Sequence, residues 1–213
     1  MVSPKDIDPR LFRASALATP GRGTDPLVEV RGGVANATTS FAVATVVDAQ
    51  RRDDVVVWMQ PANGGLFPPD LAENGVDLAA LVVVHVPVRE EPRSPRVRQA
   101  ASHDVPKAAE LLLRSGAIDL LVLDWRPGSP PRGAWLVRLQ ALAREHDTRV
   151  LLLTDAQQPL DAGCALVLRL EVERRRDQDA AGSFTIEAHV RRDKRNTTSP
   201  PSPIRRDGPA GLP

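Results

Sequence analysis

From Pro26 onward the chain alternates continuous apolar runs with stretches in which apolar residues recur at helical spacing. LVEVR (27–31) is a short β-rich run, and TTSFAVATVVDAQRR (38–52) has helical spacing behind a Thr/Ser-rich start suited to an N-cap. VVVWM (55–59) is apolar throughout, the pattern of a strand buried on both faces. PPDLAENG (68–75) predicts a short helix closed by Gly75, and ALVVVHV (80–86) predicts another buried strand. DVPKAAELLLRSG (104–116) predicts a helix with Asp104 as N-cap and Gly116 as its stop. IDLLVLD (118–124) and RVLLLTD (149–155) predict strands on either side of an amphipathic helix, GAWLVRLQALAREHD (133–147). Beyond that the rhythm changes. CALVLRLEVERRR (164–176) and GSFTIEAHVRR (182–192) alternate apolar with polar residues around a short polar loop, the pattern of an antiparallel hairpin.

Strands alternating with helices imply right-handed βαβ units. The expected fold class is therefore α/β, a mainly parallel sheet flanked by helices and extended by a C-terminal antiparallel hairpin. Residues 1–25 predict an N-terminal arm with one short helix around Pro9–Leu17, and residues 26–192 the core. Residues 193–213 contain NTTSPPSP and GPAGLP and predict a disordered tail with no apolar surface to bury.

Composition narrows the function classes. At 213 residues, 42% apolar and only 3% aromatic, the chain suits one compact domain with an aliphatic core. Lys+Arg of 28 against Asp+Glu of 27 leaves a net charge of +1, so the whole is no polycation. The cations of the tail region stand out: Arg191, Arg192, Lys194, Arg195, Arg205 and Arg206, against Asp193 and Asp207. They are the candidates for weak, nonspecific, salt-sensitive binding of DNA phosphates. A single cysteine, Cys164, excludes an internal disulfide and a multi-cysteine zinc site. His85, His103, His146 and His189 have no metal-ligand spacing, so no metal is expected, and His85 in an apolar strand reads as a core histidine. The longest apolar run, around Leu78–Val88, is about half a membrane span, and the acidic start MVSPKDIDPR is unlike a signal peptide. A cytoplasmic protein without membrane contact is expected.

In a parallel α/β sheet the first strand–helix turn is the usual phosphate site. Here it is RGGVANATTS (31–40). A phosphate-binding loop of the form G-x-x-x-x-G-K-[ST] uses glycines to wrap the phosphates, a Lys for charge and a hydroxyl for Mg²⁺. Gly32 and Thr39 hold the first and last positions of that frame, but Ala37 replaces the second glycine and Thr38 the lysine. An ordinary turn without a ligand explains the loop taken alone.

The wider sequence resembles the RecA recombinase core over roughly residues 25–195. VEVRGGVANATTSFAVATVVDAQR (28–51) follows the family's V-E-I-Y-G-P-E-S-S-G-K-T-T-L-A-L segment without a gap. NGVDLAALVVVHVP (74–87), AAELLLRSGAIDLLVLD (108–124) and CALVLRLEVERRR (164–176) are similar to later family segments, in order. The most specific is SGAIDLLVLD, which in the family ends in the Walker B aspartate, here Asp124.

The resemblance also implies what is missing. The family's catalytic glutamate falls on Asn63, and the tyrosine that stacks on adenine falls on Asp70. With Thr38 at the lysine position, the charge clamp, the positioned water and the adenine stack all lack their groups. The two DNA-binding loops shrink to WRPGSPPRG (125–133) and TDAQQPLDAG (154–163), with Arg126 and Arg132 as their basic residues. The resemblance thus implies a degenerate ATP site, no cofactor, no catalysis and no recombinase activity.

A RecA-like core reduced in this way is similar to the ImuA family of SOS mutagenesis accessory proteins. That similarity implies a non-enzymatic role in translesion synthesis, through contacts with RecA and with an ImuB-type Y-family polymerase homologue, and nucleoid association through those partners. Arg192 and Lys194 lie near the position of the family's basic pair that reaches a neighbour's ATP, and are candidates for docking on RecA. Two rivals stay open: a SulA-like cell-division inhibitor, and a divergent ATPase using Asp124 and Thr39.

Overall fold

β1 (Leu27–Gly32) runs directly into α1 (Thr38–Gln50), and α1 determines one half of the molecule. Nine of its thirteen residues are buried, among them Phe41, Val43, Val46 and Val47, so it serves as a central packing element rather than a surface helix. The computed structural model describes residues 26–33, 35–62, 64–87, 104–125, 133–154, 168–176, 183–194 and 202–207. After α1 come β2 (Val56–Pro61), α2 (Pro68–Glu73), a 3-10 turn (Leu78–Ala80), β3 (Leu81–Val86), α3 (Asp104–Arg114) and β4 (Leu120–Asp124). They are followed by α4 (Gly133–Glu145), β5 (Arg149–Thr154), β6 (Leu168–Arg176), β7 (Ser183–Asp193) and β8 (Ile204–Asp207).

The strands form one sheet in the order β3-β2-β4-β5-β1-β6-β7-β8. Every pairing from β3 to β6 is parallel, and β6–β7 and β7–β8 are antiparallel. The α/β reading and the late hairpin are both present. Alternation along the central strands supplies two cores. Val28, Val30, Trp58, Val122, Leu151 and Leu153 meet α1 on one face. Leu27, Val57, Met59, Leu121, Leu123, Val150 and Leu152 meet α3 and α4 on the other, against Leu113, Leu136 and Leu139. β2 and β4 are buried at every position because both faces are covered, which is why their sequences are unbroken apolar runs.

The helix stops fall where glycine was expected. Gly75 follows α2 with φ +87° and Gly116 follows α3 with φ +64°, the left-handed backbone that a side chain resists.

Several expectations need correction. ALVVVHV is not a buried strand: among the described residues β3 is a sheet edge, paired with β2 alone, with Val82 52% and Val83 36% exposed. An apolar run states a preference for burial but not how many neighbours the strand has. For the same reason His85 is exposed rather than a core residue. The start of α1 is capped neither by threonine nor by serine, because Ala37 occupies the cap position. Finally, residues 193–213 are not wholly a structureless tail. Residues 204–207 pair with β7 as β8, and Ile204 is 2% exposed against the first core. A lone isoleucine among prolines and arginines carries too little periodicity to reveal an edge strand. The N-terminal arm (1–25), the loop REEPRSPRVR (89–98), His103 and Cys164 lie outside the described residues.

Candidate functional site

All parallel strands point their carboxyl ends to one margin of the sheet, where Gly32 ends β1, Asp124 ends β4 and Thr154 ends β5. One strand, β5, separates Asp124 from the loop after β1. By alternation, Asp124 and Gly32 lie on the face covered by α1, as does Gln60 on β2, one step beyond the Met59–Leu123 pair. Asp124 is 5% exposed, and Gln60 is buried with an Oε1 that has no hydrogen-bond partner. Gly64 packs on that amide so closely that a side chain there would overlap it.

The loop after β1 is tied down along β6. Gly33 N–H donates to the Val172 carbonyl at 3.0 Å, and Arg174 N–H donates to the Ala35 carbonyl at 2.9 Å. Between them Asn36 forms an antiparallel bridge with Glu173. The Asn36 carboxamide lies on Gly32 and the Glu173 side chain on Gly33, so that a Cβ at either glycine would overlap them. Asn36 Oδ1 accepts from the Thr38 N–H at 2.9 Å and from the Thr38 hydroxyl at 2.8 Å. Asn36, one residue before the cap position Ala37, thus satisfies the first N–H of α1, and the sequence reading missed it. An Asn two residues before a Thr-rich helix start was the available signal.

Thr38, at the lysine position, is fully buried, and Thr39 is half-buried beside it. Ala37 has φ −124°, an ordinary conformation for a residue with a side chain, so the left-handed backbone expected at that glycine position is absent. These residues do not fit a nucleoside triphosphate. The loop offers no lysine, the N–H and hydroxyl of Thr38 are already bonded, and the Glu173 carboxylate lies on Gly33. Asp70 is exposed in the first turn of α2. Asn63 lies outside the described residues.

The shortened connector at residues 126–132 is bracketed by two indoles. Trp125, after β4, and Trp135, in α4, have ring centroids 5.3 Å apart at a 40° tilt. Arg126, Arg132 and residues 155–163 are outside the described residues.

The cationic candidates do not form one patch. Arg191 and Arg192 end β7, Arg192 opposite Arg169 of β6, while Arg205 of β8 lies opposite Thr185. Thr185 and Arg191 are six residue steps apart along β7, or about 20 Å. Arg191 is committed to Glu171, at 2.9 and 3.1 Å. The hydrogen bond holds the Glu171 carboxyl below its ordinary value and raises the Arg191 guanidinium. Arg205 donates to Ser183 Oγ at 3.4 Å. Arg206 lies in β8, exposed Lys194 directly follows β7, and Arg195 is outside the described residues. Since Arg169 pairs with Glu29 and Val172 with Gly32, Arg192 sits about 10 Å toward the amino ends of the parallel strands from the level of Gly32.

A buried ion pair was also missed. Glu29, fully buried in β1, is bonded by Arg169 of β6 and accepts from Thr154 Oγ1 of β5 at 2.9 Å. Nothing in LVEVR marks Glu29 as buried; the central position of β1 between β5 and β6 buries it.

Among the described residues no cluster of His, Cys, Asp and Glu could hold a metal, and no helix is long and apolar enough to cross a membrane. No protein-family profile matches the chain. A comparison with curated proteins finds similarity to Protein RecA of Nocardioides sp. (strain ATCC BAA-499 / JS614), 31% identical over 118 residues. That stretch is 55% of this chain and 29% of the relative, so the match spans less than a third of the relative's length. Over those 118 residues the chain is similar to that RecA, and its mostly parallel α/β sheet is compatible with a RecA-like fold.

Proposed function

We propose that this chain is a non-catalytic RecA-like accessory protein of the ImuA type. It acts in damage-induced mutagenesis and translesion synthesis by binding RecA and an ImuB-type Y-family polymerase homologue. The observation that carries the reading is the filled loop: Asn36 and Glu173 lie over Gly32 and Gly33, and Thr38 replaces the lysine. Transfer of a phosphoryl group needs charge stabilisation and a held nucleotide. A RecA-like domain without them retains its surfaces, and contact with other proteins is the use those surfaces still have.

Arg192 and Lys194 are the proposed anchors on RecA. They stand at the end of β7, on the outer flank of the sheet, and would approach a nucleotide held by a neighbouring RecA rather than this chain's own loop. Docking at a filament end would then block further growth, because the next subunit finds no nucleotide here. Any DNA contact is weak and, among the described residues, split between the two ends of β7, through Arg191, Arg192 and Lys194 at one and the β8 positions of Arg205 and Arg206 at the other.

The test pairs a calorimetric titration with ATP and ADP against a binding assay using purified RecA filaments and the polymerase homologue. No nucleotide binding, with RecA binding lost on changing Arg192 and Lys194 to Ala, supports the reading. Micromolar ATP affinity favours a divergent ATPase. Binding to the tubulin-like division protein, with none to RecA, favours a SulA-like inhibitor.

A further inference from the structure

The two edges of the sheet are built differently. β8 is four residues long and carries Arg205, Arg206 and Asp207, the short charged edge by which proteins discourage strand addition. β3 has six residues, LVVVHV, with no Asp, Glu, Lys, Arg or Pro, and its register with β2 is continuous from Leu81 to Val86. Among the described residues it pairs with β2 alone, so its outer row of backbone donors and acceptors, beside exposed valines, has no strand partner there. Large exposed apolar side chains gather at this end of the sheet. Val55, Phe67, Leu78, Val82, Val83 and Leu111 all belong to β3, to α3 packed on it, or to the segments next to β2 and α2. Val137 of α4 is the exception among the described residues.

We propose that β3 is a self-association edge, and that its occupant is β3 of a second copy of this chain, paired antiparallel about a two-fold axis. An uncharged edge offers nothing to a charged partner strand. The residues that follow it carry Arg89, Glu90, Glu91, Arg93, Arg96 and Arg98 with Pro92 and Pro95, a composition unsuited to pairing with it. A two-fold axis normal to the sheet keeps the faces together, so opposed positions must share a face and the axis must pass midway between one residue and its own counterpart. Val83 is the residue for the axis. It is exposed on the α1 side, whereas Val84 packs beneath α3 with the second core. With the axis there, Val83 lies opposite its own counterpart, Val82 opposite the second copy's Val84, and Leu81 opposite the second copy's His85. Each pair is free of like charge, and the valine pairs are of the β-branched kind that stabilises sheets. The charges of β8 oppose the open-ended β3-to-β8 alternative, so association closes at two. The strand contact alone buries less than the roughly 800 Å² per partner of a standard interface, which makes the dimer weak: populated at about 100 µM and dissociated at about 1 µM chain.

The test is sedimentation of the full chain from about 1 to about 200 µM. Val83→Glu sets two carboxylates face to face and should weaken association at least tenfold, while Val137→Glu on α4 leaves it unchanged. Independently, Val83→Cys in a Cys164→Ser background should form an intermolecular disulfide under copper-phenanthroline and air, since opposed residues in an antiparallel pair have Cα atoms about 4.5–5.5 Å apart. A chain that stays monomeric at the highest concentration, association indifferent to Val83→Glu, or no cross-link in the Val83→Cys variant each overturns the proposal. The outcome does not depend on whether RecA is a partner.

Discussion

Asn36 Oδ1 accepts two hydrogen bonds from one residue, Thr38, through its backbone N–H at 2.9 Å and its hydroxyl at 2.8 Å. A side-chain oxygen of the chain thereby bonds the first N–H of α1, at the end of the helix where a phosphate-binding loop presents backbone N–H groups to its ligand.

Replacing Thr38 by Lys should not create a nucleotide site. Thr38 is fully buried, so a longer, charged side chain forces the packing around it and should cost about 1–3 kcal/mol. Asn36→Ala removes that bond and should cost about 1 kcal/mol. Urea denaturation measures both, and calorimetry with ATP and ADP should find no binding in either variant. Hydrolysis by Thr38→Lys would overturn the assignment of the filled loop.

Glu29 depends on Arg169 and Thr154. Arg169→Met strands a fully buried carboxylate and should destabilise by about 3–5 kcal/mol, whereas the double change Glu29→Leu with Arg169→Met should cost far less than the single one. A double-mutant cycle measured by denaturant unfolding gives the coupling. Additive costs would mean that the pair is not coupled.

β8 should contribute to stability. Ile204→Ala should cost about 2 kcal/mol or more, because the side chain is 2% exposed in the first core. Ending the chain at residue 201 should cost more still, lowering the thermal midpoint by several degrees. A truncation with the full chain's midpoint would show that β8 adds nothing.

The Glu171–Arg191 pair should stabilise the fold at neutral pH and cease to do so in acid. Its hydrogen bond holds the Glu171 carboxyl below its ordinary 4.5, so the folded state binds that proton less readily than the unfolded state. The pair's stabilisation is present above pH 4.5 and disappears as pH falls toward the lowered folded value. Arg191→Ala should therefore flatten the stability profile in that window, with a small loss at neutral pH, small because the pair is solvent-exposed, and none below the lowered folded value. Carboxyl titration followed by NMR in both proteins is the check, and an unmoved Glu171 would refute it.

The sequence by itself determined the elements and their class. Runs such as LLVLD and VVVWM could only be strands with covered faces, Gly75 and Gly116 could only close helices, and the alternation in LRLEVERRR could only suit a half-exposed strand. These are local consequences of side-chain period and backbone sterics, and local patterns record them. It also placed Thr38 and Ala37 in positions where a phosphate loop needs other residues. Only the tertiary structure decided the rest, because sheet order is a long-range property. It made β3 an edge and exposed His85 and Val83, although their run is as apolar as β2. It buried Glu29, because β1 stands between β5 and β6, and it gave Ile204 a strand to pair with. It also brought Glu173 onto Gly33 across 140 residues of chain, a contact that no spacing in the sequence announces. Burial and pairing of this kind depend on which strands become neighbours, and that choice is made by the whole hydrophobic core rather than by any segment of it.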